Sequence, residues 1–105
     1  MAQFDVYCNP SPVSRDGVPY LVDMQSELLS GLPTRLMVPL GKPEVAPSKC
    51  PRSLCPEVRV DGQPLRVLPH LAAAFRSRDL GRPLASLTAE SSALVAALDA
   101  VLSGI

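Results

Sequence analysis

The chain has 105 residues, enough for one domain around one core and too few for two. Apolar residues make up 47% and charged residues 19%, which fits a folded globular chain and excludes a disordered one. Ten basic side chains balance ten acidic ones, so the basic excess of a direct nucleic-acid binder is lacking and a protein partner is expected.

The opening residues, MAQFDVYC, have neither the basic nor the apolar region of a signal peptide. No run approaches the roughly 18 apolar residues of a membrane span. A cytoplasmic protein is therefore expected, with Cys8, Cys50 and Cys55 as thiols, since a reducing compartment and an odd cysteine count argue against a disulfide framework. Proline is the outlier, 12 residues in all, and none follows Pro83. Because proline is excluded from helix interiors and central strands, everything before that point reads as short strands and structured loops.

In chain order, residues 3–8 alternate, with Phe4, Val6 and Cys8 on one face and Gln3, Asp5 and Tyr7 on the other. Period two predicts a half-buried strand. Residues 9–19 are an exposed loop by their Pro, Ser, Asn and Gly content. A second strand sets Tyr20, Val22 and Met24 against Leu21, Asp23 and Gln25. A third puts Leu36, Val38 and Leu40 on one side, and Pro39 within it predicts an edge or a bulge. Residues 41–56 form a second proline-punctuated loop, with a short strand expected near Val45.

Residues 57–68 carry the cleanest local signal. Asp61-Gly62 between two β-type runs predicts a type I′ hairpin that sets Val58 opposite Leu65 and Glu57 opposite Arg66. Residues 68–87 are ambiguous: alanines favour a helix that Gly81 and Pro83 cut short. From Thr88, taken as N-cap with Glu90 in the first turn, a helix runs to the end. Gly104 suits the left-handed position after a helix, with Ile105 as the apolar residue beyond it. Leu94, Leu98 and Val101 are expected to face the core. Leu102 and Ile105 are left at an exposed tip, which points to an interface. The fold class is mostly β within α+β: a small barrel or paired antiparallel sheets with one C-terminal helix.

Three sulfurs and His70 could in principle hold zinc, but the chain has one cysteine pair, spaced wider than most structural sites, and each cysteine has a packing explanation. No metal or cofactor is expected. His70 lies in the apolar stretch LPHLAAAF and reads as a partly buried structural residue; no nucleophile or phosphate-loop motif accompanies it. Arg15, Lys42, Lys49 and Arg52 fall in the two long loops, either as solvated charges or as contacts for an acidic partner segment.

QFDVY, YLVDMQSELL, RLMVPL, SLCPEVRV and the closing GI together resemble the CcdB toxin family from end to end. The resemblance implies an SH3-like barrel with a C-terminal helix, assembled as a homodimer. It also implies a toxin that does no chemistry itself: it binds the A subunit of DNA gyrase and traps the cleaved-DNA complex. The partner antitoxin has a disordered tail that folds on the toxin, and Arg15, Lys42, Lys49 and Arg52 become its candidate contacts. For gyrase, Gly104 and Ile105 match the family's terminal pair, and Leu28 and Leu29 match two aliphatic contacts. Asp99 stands for an amide, Leu102 for an aromatic residue, and Ser103 for a tryptophan. The loss of that tryptophan leaves two further readings: a toxin fold that mainly binds its antitoxin, and an RNA-cutting toxin, for which only His70 offers acid–base chemistry.

Overall fold

The computed structural model describes residues 1–104; Ile105 lies outside the described residues. Its most local feature is the hairpin of β4 (Glu57–Val60) and β5 (Gln63–Val67), in which Glu57 faces Arg66 and Val58 faces Leu65 as expected. Asp61 and Gly62 take φ of 54° and 77°, the paired positive angles of a type I′ turn. Gly62→Ala is expected to cost about 1 kcal/mol in urea unfolding; open space surrounds a Cβ there, so the loss is conformational.

The other strands are β1 (Asp5–Cys8), β2 (Tyr20–Asp23), β3 (Thr34–Gly41), β6 (Ala73–Arg76) and β7 (Ala85–Ser86), followed by the helix α1 (Ser91–Ser103). All pairings are antiparallel, in the order β4-β5-β3-β2-β1-β7 with β6 beside β3. The sheet curls into a nearly closed barrel with α1 packed on it, which agrees with a small barrel plus C-terminal helix.

Pro39 is not on a sheet edge. β3 is central: β2 lies on one side, and the other side is shared by β6, along Thr34–Met37, and β5, at Leu40–Gly41. Pro39 sits at the handover. Its carbonyl accepts the Leu68 N–H at 2.9 Å, so its ring nitrogen faces the gap between β6 and β5, where no ladder donor is needed.

The barrel interior gathers Val6, Val22, Val38, Leu40, Leu65 and Val67, among others, and α1 closes it with Leu94. The opposite face of the sheet is also buried, under Tyr7, Leu21, Met37 and Leu80. This corrects the reading of β1 as half-buried. Tyr7 is fully buried, whereas Cys8, expected on the apolar face, is an exposed free thiol. Burial raises the pKa of the Tyr7 hydroxyl, with Asp5 and Asp23 adding to the shift and Arg35 opposing it.

Other expectations change as well. Pro43–Val45 is a 3-10 turn rather than a strand, since Pro43 opens a helical turn and cannot donate to a ladder. The ambiguous stretch resolves into 3-10 turns at Pro69–Leu71 and Ser77–Asp79 and the short strands β6 and β7. His70 is exposed, because Leu68 and Pro69 take the buried positions. Thr88 does not cap α1. It opens a 3-10 turn, Thr88–Glu90, and its hydroxyl lies 2.8 Å from that of Ser86, while α1 starts at Ser91. Finally, Cys50 and Cys55 are joined in a disulfide, which overturns the expectation of thiols. The turn in which the Leu54 and Cys55 N–H groups donate to the Pro51 carbonyl folds the loop back, leaving the two Cα atoms 6.3 Å apart, within bridging range.

Candidate functional site

α1 has no Pro or Gly and is rich in alanine and leucine, so helix is its natural state. Leu94 and Ala97 are buried against the barrel, fixing the N-terminal half. Beyond them the helix outruns the core. Leu98 is half-buried, Val101 is 40% exposed and Leu102 is 79% exposed. With Val95, 41% exposed, they form an apolar flank in which Leu98 packs in part against the core, and Val95, Val101 and Leu102 are left open among the described residues. Gly104 ends the helix at φ 75°, its N–H donating to Ala100 as a left-handed cap requires. Ile105, expected beside it, lies outside the described residues. Ser103 points back along the helix: its hydroxyl donates to the Asp99 carbonyl at 2.7 Å, and it offers no apolar area.

The second patch is Leu28 and Leu29, in a 3-10 turn at Glu27–Leu29 where Leu28 is 94% exposed. A buried polar network explains how such a residue is held in the open. Gln25 donates its amide to the carbonyls of Leu29 and Thr34, both at 3.0 Å, and accepts the Leu36 N–H, also at 3.0 Å. Ser26 caps the turn by accepting the Leu28 N–H. Asp23 accepts the Gln25 N–H at 2.9 Å through Oδ1, while its Oδ2 accepts from Arg35 Nε at 2.7 Å. Arg35 Nη2 makes an ionic contact of 2.6 Å to the same oxygen. Both charged groups are almost fully buried.

Sequence reasoning missed this network. The strand pattern set Asp23 on one face with Leu21 and Gln25 and assigned no role to Arg35. The signal was the charge itself, an acid and a base on neighbouring strands, with Arg35 two residues along β3 from Met37, which lies opposite Asp23. The N-terminal segment joins the two patches. The Gln3 N–H donates to Glu27 at 2.8 Å, and Gln3 and Phe4 share a shallow cleft with Ser92, Val95 and Asp99 of α1.

The four loop cations divide. Arg15 uses Nε to donate to the Asn9 carbonyl at 2.8 Å, so its guanidinium braces its own loop. Lys42 lies 3.7 Å from Asp16 and its N–H donates to Gly17, which draws the two long loops together. Lys49 and Arg52 are exposed, in the disulfide loop beside α1. The disulfide also removes two sulfurs from any zinc ligand set.

The CcdB protein family model matches residues 3–104, which takes in the barrel, the network and the whole of α1. The chain belongs to the CcdB family. It is therefore a toxin of a toxin–antitoxin module, with an antitoxin as its partner. A search of curated proteins found no match. Within this CcdB chain, no helix among the described residues is long and apolar enough to cross a membrane. Within YLVDMQSELL, one of the stretches that carry the resemblance, Asp23, Gln25 and Ser26 belong to the polar network that holds out Leu28 and Leu29.

Proposed function

We propose that this CcdB chain acts as a homodimer that binds the A subunit of DNA gyrase through the end of α1 and traps the enzyme's cleaved-DNA complex. The observation that carries this reading is the overhang of α1, whose exposed Leu102 lies past the last core contact. Two copies related by a two-fold axis would cover the flank of Val95, Leu98 and Val101 and present two helix ends side by side. Leu28 and Leu29, with the terminal residues 104 and 105, would complete the contact surface. Binding of this kind needs no reacting group.

Leu102→Asp tests the proposal. The side chain is exposed, so stability is expected to change by less than about 0.5 kcal/mol. Placing a charge in a desolvated contact is expected to weaken capture of cleaved DNA by about 30-fold or more. Undiminished gyrase-cleaved DNA with this variant overturns the assignment.

A second reading rests on Ser103, bonded back to Asp99 where the family carries a tryptophan. Interface tryptophans are frequent hot spots, so the target surface is either weakened or different here. Growth arrest and gyrase capture gained by Ser103→Trp, together with inactivity of the natural chain, would favour a toxin fold that mainly binds its antitoxin.

A further inference from the structure

Among the described residues, the disulfide loop makes its backbone hydrogen bonds within itself rather than to the barrel strands. Between Pro43 and Leu54 the backbone N–H groups that find a backbone acceptor reach only Lys42, Pro43, Pro47 and Pro51, all within the same excursion. The two ends are different. The Lys42 N–H donates to Gly17, and past the loop Cys55 is fully buried with its carbonyl held by Arg66, while the Pro56 carbonyl accepts from Val67. The Cys50–Cys55 bond therefore ties a self-contained stretch to a firmly anchored residue.

What the tie positions is a wall. Pro51, Ser53 and Leu54 face Ala96, Ala100 and Gly104 across a cleft of about 340 Å³ along the last turns of α1. Cys50 is half-buried, whereas Cys55 is fully buried, so Cys50 is the more open end of the bond.

We infer that the Cys50–Cys55 bridge is a reducible latch, which fixes residues 46–54 as the wall beside the end of α1 and releases them on reduction without unfolding the barrel. A dithiol supplies both electrons. Its thiolate attacks the Cys50 sulfur and expels Cys55 as a thiolate. Its second thiol then breaks the mixed disulfide, so the dithiol leaves as a cyclic disulfide and two protons end on Cys50 and Cys55. The ring closed by the bond is short, so it removes less unfolded-state entropy than a bond closing a long loop would, and the residues it positions are local. The latch does not depend on which target α1 meets.

Trypsin reads the wall directly, because Lys49 and Arg52 lie within it and Arg15, in the other long loop, serves as an internal reference. Purified, air-oxidised chain is compared with the same chain in dithiothreitol and with Cys50→Ser without reductant. Cleavage after Lys49 and Arg52 is expected to quicken about tenfold or more in both opened forms, with cleavage after Arg15 unchanged, since proteolysis follows the population of the open state. Equal rates at Lys49 and Arg52 overturn the latch, as does acceleration at all three sites, which means general unfolding. A Cys50→Ser chain as resistant as the oxidised protein overturns it too. So does a mass spectrum of the air-oxidised chain without the Cys50–Cys55 linkage.

Discussion

Arg35→Met is expected to lower the unfolding free energy by about 3–5 kcal/mol, the cost of leaving the Asp23 carboxylate buried without its cation. Asp23 is fully buried, and after the change it would keep only the Gln25 N–H as a hydrogen-bond donor. Methionine fills most of the space, so the loss measures the orphaned charge more than a cavity. The double variant Asp23→Asn with Arg35→Met separates the two. Asparagine retains a carbonyl oxygen for Gln25 and carries no charge, so most of the lost stability is expected to return, because removing both ions from an interior is often near neutral. Urea unfolding with a shared m-value gives both numbers. A loss below about 1 kcal/mol for the single variant would mean that water reaches Asp23 and that the pair is not sealed. The network also carries the turn at Leu28 and Leu29 through Gln25, so the single variant is expected to loosen that patch.

Leu94→Ala is expected to cost about 2–5 kcal/mol, the usual range for a buried leucine truncated in a packed core. Leu94 is 1% exposed and belongs to the same interior cluster as Val6, Val38 and Leu65. With Ala97 it forms the buried contact of α1, so its loss acts on the attachment of the whole helix. Thermal unfolding by circular dichroism is expected to show the midpoint falling by roughly 10–20 °C for a domain of this size. Leu102→Ala is the matched control: the same side chain in the same helix, but exposed, with an expected change below about 0.5 kcal/mol. Similar losses at both positions would mean that α1 is not held through Leu94. The contrast also divides the apolar stripe into a half that holds the helix and a half free to dock.

How much of this was legible in the sequence depends on the distance over which each feature is decided. The β4–β5 hairpin was readable to the residue pair, since Asp61 and Gly62 set the turn and the turn sets the register. Gly104 was readable as the end of α1, because a left-handed position next to a helix is a local demand that glycine meets. Antiparallel β structure plus one C-terminal helix followed from proline placement and period-two patterning, which left a barrel or paired sheets open, and the family resemblance implied the barrel. The start of α1 was misjudged by two residues, with Glu90 rather than Thr88 at the N-cap position, because Thr88 has capping chemistry but its hydroxyl found Ser86.

The sequence by itself determined the β4–β5 turn, the helix and its apolar overhang, because these rest on interactions between residues a few positions apart. Only the tertiary structure decided that both faces of the sheet are buried, so that Tyr7 goes inside and Cys8 outside. Alternation shows that two faces differ, and what covers the second face is settled by elements distant in the chain, such as Phe75 and Leu80. The same holds for the Asp23–Arg35 pair, twelve residues apart. A buried charge needs its partner at one point in space, and that point exists only once β2 and β3 are side by side.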